Sequence, residues 1–552
     1  MTVSSKVLVI GLDGATLDLL GPWMRDGLLP CLSTFQTDGM TTTLESVVPP
    51  QTASGWSSLI TGKNPGRHGI FGFVKRDPKS YDLLPISASD RKSLDLWEIL
   101  NSFGKKVGVL GVPVTYPVRK VDGFLISGLL TPYGVSDYYY PEGLIDELVA
   151  NVGSFNPPYT VFGGKEDVFL EKLYDSTENH AEVTKYLMQK KEWNFFMTVF
   201  YGTDKVQHTF WQYLDPNNPR CDPKKREKYK DAILRYYQRL DEIVSDIIRL
   251  TDDETTTFIV SDHGAEPLFK WVHPNVFLTK EGLLKIRRGI VEQTRYLLFR
   301  MGLTPSNALK LVLAMNALHF RKRLGKKRTR RLMVTLFTSL KDVDWTKSKA
   351  YSIGGWGRIF INLKGRDPEG IVEPGKQYET VRSDIIRRLE SLVDPKTGEK
   401  LCTQSQIFKK EDIYNGPYIE EAPDIVFQLR PGYLSFPGYE FGSNSLVSDL
   451  RGWSAGHAMN GILMMKGRNV KKGAQVADAK MIDVAPTVLA MMGLPLPADM
   501  DGRVLTEALS PEFLESHKIR KADYSTQLGT EYAYTEEQTE QLKQALKALG
   551  YL

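Results

Sequence analysis

Asp262 and His263 stand side by side where the apolar, β-branched run Thr257-Phe258-Ile259-Val260-Ser261 ends, and Gly264 follows them. The run reads as a buried strand, and the glycine is expected to turn the chain sharply at the strand's end. A carboxylate beside an imidazole makes a poor core pair but a good pair of ligands for a divalent cation. Open α/β sheets collect their functional groups at the carboxyl ends of the strands. The competing reading is an aspartate that caps a helix next to a chance histidine. Which reading holds depends on whether further ligands accompany the pair.

Candidates are present. Lys6-Val7-Leu8-Val9-Ile10-Gly11-Leu12 reads as a first strand and ends at Asp13-Gly14, although Asp13 alone would pass for a helix cap. Phe195-Phe196-Met197-Thr198-Val199-Phe200 reads as another strand and leads into a segment carrying Asp204 and His208. These two are four apart, so they share one face if the segment is helical. Ser454-Ala455-Gly456-His457 puts another histidine in a loop before the apolar run Gly461-Ile462-Leu463-Met464-Met465. With only 8 histidines in the chain, three in such contexts are hard to ascribe to composition.

A nucleophile is also at hand. Val47-Val48-Pro49-Pro50-Gln51-Thr52-Ala53-Ser54 passes from an extended approach, fixed by the prolines, into a short helix with Thr52 at its start. Thr52 can be an ordinary N-cap. The same position also favours an anion, because helix N-termini offer backbone N–H groups and a favourable dipole. A hydroxyl there, bound to a metal ion, can lose its proton near neutral pH and attack phosphorus. Lys63 and Arg67 follow in a glycine-containing loop, two cations expected close to a substrate.

In this order, Asp13, the Thr52 segment with Thr61-Gly62 and Pro65-Gly66-Arg67-His68-Gly69-Ile70, Asp204 with His208, Asp262-His263 and Gly456-His457 resemble the alkaline phosphatase superfamily. The likeness is strongest to its type I phosphodiesterase/nucleotide pyrophosphatase branch, and the motifs are spread from residue 6 to residue 505. The resemblance implies an α/β fold with a central, mostly parallel sheet flanked by helices. It implies two divalent metal ions, one held by Asp13, Thr52, Asp262 and His263, the other by Asp204, His208 and His457. Oxygen and imidazole donors without thiolate suit zinc, manganese or iron better than magnesium. The resemblance favours zinc, and manganese also fits. Thr52 would attack a phosphate-ester substrate, giving a phospho- or nucleotidyl-threonine that water resolves. One departure bears on substrate: relatives carry an asparagine shortly after the His-Gly-Ile segment that helps hold the phosphate, and here the stretch reads Phe71-Gly72-Phe73.

The elements that position these residues follow from pattern. A chain of 552 residues with 41% apolar content is long enough for a large core and an accessory unit. Residues 1–280 alternate strand and helix patterns, and 455–510 reads as the closing strand and helix of the same catalytic core. Residues 281–349 read as a basic helical insertion with apolar positions such as Leu283, Leu284, Ile286, Leu297 and Leu298. Residues 350–454 read as a small α/β accessory subdomain, and 511–552 as a polar, helical C-terminal tail. The insertion holds Arg321-Lys322-Arg323, Lys326-Lys327-Arg328 and Arg330-Arg331. Such a run can be a solvated helix face, or it can touch an anionic membrane or a polyanion. Gly354-Gly355-Trp356-Gly357-Arg358 can be a tight turn, or a substrate contact in which Trp356 stacks and Arg358 takes phosphate.

Composition narrows the class further. The net charge of +5 is mild for this length and does not indicate nucleic acid. No stretch approaches the roughly twenty apolar residues a transmembrane helix needs. Cys31, Cys221 and Cys402 are scattered, which gives neither a disulfide framework nor a thiolate metal site. With the first strand starting early and no secretory leader before it, a cytoplasmic location is expected. The leading function is a phosphodiesterase or nucleotide pyrophosphatase. A phosphomonoesterase or phosphomutase would share the bimetal site. A polyanion- or lipid-binding protein on a degenerate hydrolase scaffold is a third reading, disfavoured because ligands are complete.

Overall fold

The computed structural model describes residues 6–153, 165–305, 307, 337–437, 441–450, 452–524 and 531–549. The basic run from Arg321 to Arg331 lies outside these residues. At the centre is an 8-stranded sheet in the order Met40–Glu45, Asn460–Lys466, Thr255–Val260, Lys6–Leu12, Phe195–Phe200, Val107–Leu110, Gly123–Ile126, Tyr139–Tyr140. The five strands from Thr255–Val260 to Gly123–Ile126 run parallel, and the flanking ones pair antiparallel. This is the α/β, mostly parallel architecture that the sequence pattern implies.

Both faces of the sheet are covered, which explains why its inner strands are apolar throughout rather than alternating. Val7 and Val9 enter one core with Ala53, Trp56 and Ile60 of the helix Thr52–Thr61 and with the helix Val484–Met491. Leu8, Ile10 and Leu12 enter the other, against the helices Leu17–Arg25, Gly202–Leu214 and Ala232–Ile248. Register then decides where polar residues emerge. Leu12 pairs with Phe200 and Gly11 with Val260, so the segments after all three strands leave the sheet at one end.

The strand Gly264–Val272 continues almost directly from Asp262-His263. The sharp turn expected at Gly264 is therefore not present. The strand pairs antiparallel with Ala455–Ala458, in a register that sets Ala265 opposite His457. Farther along it pairs with Gly432–Ser435 and Val447–Asp449. A second, 4-stranded sheet of Ala350–Tyr351, Arg358–Ile361, Ile425–Phe427 and Ile407–Lys409 packs with the helix Lys376–Glu390 around its own core. Leu283, Leu284 and Phe299 contribute to that core.

The C-terminal segment does more than its polarity suggests. The helix Glu536–Leu549 buries Leu542 and Leu546 in the same core as Trp56. No helix among the described residues is long and apolar enough to cross a membrane.

Candidate metal centre

The end of the sheet where the three strands stop gathers all seven residues expected as ligands. Asp13, Asp262 and His263 form one group and Asp204, His208 and His457 a second, each with ligand atoms within 4.8 Å of one another. His263 Nε2 lies 3.3 Å from Asp262 Oδ2 and 3.6 Å from Asp13 Oδ1. His208 Nε2 lies 3.0 Å from Asp204 Oδ1 and 3.3 Å from His457 Nε2. The groups meet through the rings of His263 and His457, which stack at 3.5 Å between centroids. Gly14 passes between them with φ +68, and a side chain there would lie 3.0 Å from Asp204 Oδ1 and 3.2 Å from the His263 ring. Only glycine fits that path.

Each imidazole is oriented by a backbone carbonyl. Nδ1 of His208 faces Ala455 O at 2.7 Å, that of His263 faces Gly264 O at 2.9 Å, and that of His457 faces Pro50 O at 2.9 Å. A carbonyl only accepts, so Nδ1 carries the proton and Nε2 of the neutral ring is a lone pair turned into the centre. Nε2 of His208 and of His457 then oppose each other across 3.3 Å, with the Asp204 carboxylate beside them. Buried carboxylates repeat the pattern: Asp13 Oδ1 and Asp262 Oδ2 have no hydrogen-bond partner among the described residues. Burial, then repulsion from Asp262 and Asp204, pushes Asp13 well above the usual carboxylate range. Burial pushes Asp262 up to about 8. Burial works against the charged form of Asp204 too, yet His208, His457 and His263 hold it below its ordinary value. Burial lowers both His263 and His457. Six donors without enough protons to share is a poor protein interior and a fitting cradle for divalent cations.

Thr52 is the first residue of its helix and does not cap it; Gln51 occupies the cap position. Its Oγ1 lies 3.3 Å from His263 Nε2 and also reaches the Asp262 carboxylate. Asp13 and Asp262 likewise cap nothing: Thr16 caps the first helix, and Asp262 Oδ1 accepts the N–H of Gly14 at 3.2 Å.

The residues expected to touch substrate divide. Lys63 pairs with Asp499 at 2.5 Å and Arg67 with Asp501 at 2.8 Å, so both are already neutralised by the loop that follows the helix Val484–Met491. Trp356 is 2% exposed and its ring lies 4.7 Å from that of His457. Arg358, 3% exposed, donates to Phe71 O at 2.6 Å and to Gln51 Oε1. Two further residues escaped sequence reading. Trp56 donates to Asp13 Oδ2 at 3.3 Å, and Trp453 stacks on His208 at 3.9 Å. Trp56 falls four residues after Thr52, on the same helical face, and that spacing is the signal that marks it.

The fold is shared with enzymes of known structure. Phosphonoacetate hydrolase from Sinorhizobium meliloti, in complex with phosphonoacetate, matches with a TM-score of 0.54 at 14% identity, over 88% of this chain and 94% of that chain. An inactive murine ectonucleotide pyrophosphatase/phosphodiesterase 5, in complex with AMP, matches with a TM-score of 0.50 at 13% identity, over 92% of this chain and 100% of that chain. No curated protein matches the sequence significantly. Residues 7–445 match the type I phosphodiesterase/nucleotide pyrophosphatase family, a span that takes in every ligand candidate but His457, which the strand pairing with Gly264–Val272 delivers. The chain belongs to that family of phosphoester hydrolases.

Proposed function

We propose that the protein hydrolyses phosphate esters by a metal-dependent route in which Thr52 attacks phosphorus. One divalent cation would be held by Asp13, Thr52, Asp262 and His263, and a second by Asp204, His208 and His457. Zinc suits these donors, and manganese is the alternative. When bound, such cations acidify a coordinated hydroxyl and draw off charge from the phosphoryl oxygens. The observation that carries the reading is the Thr52 hydroxyl, buried at a helix start and turned toward His263 and Asp262 rather than toward its own backbone.

The chain's own residues do the rest. Arg358 fixes Gln51, His457 fixes Pro50, and Thr52 is thereby held in one place. Its Oγ–H proton is lost to water, Oγ bonds to phosphorus, and the leaving oxygen departs with its electron pair. Water then breaks the Oγ–P bond and restores the threonine. The AMP held by the murine relative and the family's activity support a nucleotide diester or pyrophosphate as the first substrates to try. A phosphomonoesterase uses the same residues, and the surroundings of Arg358 bear on that choice.

Thr52→Ala decides the matter. The variant is expected to fold and bind metal while losing several orders of magnitude in kcat, as removal of a covalent nucleophile does. Thr52→Ser should recover part of the rate, and quenched turnover of a labelled substrate should leave label on Thr52. Near-normal kcat in the alanine variant, or label elsewhere, overturns the proposal.

A further inference from the structure

Three arginines among the described residues are buried: Arg91, Arg358 and Arg382. Arg91 is paired with Asp95, and Arg382 with Glu379 and Glu411. Arg358 has no carboxylate partner among the described residues; its two acceptors, Gln51 Oε1 and Phe71 O, are neutral. Among the described residues its Nε–H has no acceptor, and neither has the indole N–H of Trp356 two residues earlier. A buried cation left unmatched is costly, and a buried N–H without an acceptor adds to the cost.

The backbone is shaped to keep these donors in place. Trp356 holds φ 59, a left-handed conformation that strains a bulky residue, and Gly354, Gly355 and Gly357 flank it at positive φ. Opposite them, Gly72 leaves the room the guanidinium takes: a side chain there would collide with Arg358 and Gln51. Arg358 touches the residue before Thr52, and Trp356 touches His457.

We propose that Arg358, with the Trp356 N–H, receives the phosphoryl group under attack and biases the site toward a dianionic phosphomonoester. The inference rests on the Thr52 reading for its chemistry. A fixed charge, unlike an amide, interacts with a phosphoryl group in proportion to that group's own charge. A terminal phosphate carries two negative charges and a diester one, so the guanidinium favours the former.

The test compares wild type, Arg358→Gln and Arg358→Lys, each loaded with zinc. The readouts are kcat/KM for p-nitrophenyl phosphate, kcat/KM for bis-p-nitrophenyl phosphate, and calorimetric binding of inorganic phosphate. Arg358→Gln is expected to lower the monoester-to-diester ratio at least tenfold and to weaken phosphate binding at least tenfold. Arg358→Lys should keep the ratio within a few-fold of wild type while absolute rates fall, and it serves if the glutamine variant does not fold. Equal losses on both esters, or a lysine variant that loses the preference, overturn the charge-reading role. Unchanged phosphate affinity in Arg358→Gln overturns the contact itself. If wild type cleaves neither ester, the Thr52 reading falls, and phosphate binding still decides for or against Arg358.

Discussion

Trp56 lies one helical turn beyond Thr52 and turns its indole N–H onto Asp13 Oδ2 at 3.3 Å, fully buried. Among the described residues it is the one side-chain hydrogen bond donated to the Asp13 carboxylate, which faces Asp262 and Asp204. Trp56→Phe keeps the packing and removes the donor, so it should cost about 1–3 kcal/mol of stability in denaturant titrations. Metal affinity should fall at least tenfold, because partners that orient ligands typically matter by 10–100-fold. Retained affinity in competition with a chelator would show that Asp13 needs no such support. His457 tests the second ligand group in the same way. His457→Ala is expected to reduce bound metal from two ions to one per chain, read by elemental analysis. Full occupancy with full activity would remove His457 from the centre. These single positions differ in how visible they were beforehand. Asp13 and Asp262-His263 end apolar runs that read as strands, so their placement at the strands' carboxyl ends was readable. Trp56 and Trp453 were hidden because a lone tryptophan among glycines and small polar residues carries no ligand signal of its own. Lys63 and Arg67 were expected near a substrate, and their pairing with Asp499 and Asp501 was not readable because those carboxylates come from the far end of the chain.

At the level of elements, the helix Glu166–Lys190 docks on the strand Phe195–Phe200 through a buried histidine. His180 Nε2 bonds Thr198 Oγ1 at 2.7 Å, and burial lowers its pKa to about 3. His273, which leads into the helix Pro274–Lys280, is likewise lowered to about 3 by burial. The unfolded chain titrates these near 6.5. Folded histidines with depressed pKa bind fewer protons than unfolded ones, so their stabilisation is complete above about 6.5 and erodes as pH falls toward 3. Each contributes a slope of about 1.4 kcal/mol per pH unit inside that window. Urea midpoints taken between pH 7.5 and 4.5 should fall accordingly, and His180→Asn should show a slope shallower by about one proton. An unchanged slope would mean that His180 is reached by water. The parallel strands were legible from their apolar runs. The strand at Gly264 was not, because a glycine after Asp-His reads as a turn, and only pairing with Ala455–Ala458 makes it a strand.

Across the whole molecule, the C-terminal helix closes a core that begins at Val7. Leu546→Ala should destabilise by about 2–5 kcal/mol, the range for truncating a buried leucine, where a solvent-facing tail would give almost nothing. The sequence could not show this, since the partners of Leu542 and Leu546 come from early elements. The helix Ile290–Arg300 leaves Ile290 86% exposed, and Met301 beyond it is 70% exposed. The basic run from Arg321 to Arg331, farther along the chain, lies outside the described residues, and the sequence leaves an anionic membrane or polyanion as its expected partner. Replacing the run's cations with glutamine should leave turnover of a small nitrophenyl ester unchanged and weaken binding to anionic vesicles. A loss on the small ester as large as that of His457→Ala would instead tie the run to catalysis. The pairing of Ala265 with His457 has one further consequence, for the nascent chain. Asp13, Thr52, Asp262 and His263 have all left the ribosome long before His457 is made, and domains fold in the order they emerge. The group of Asp13, Asp262 and His263 can therefore gather during synthesis, whereas the group of Asp204 and His208 waits for the strand pairing that delivers His457.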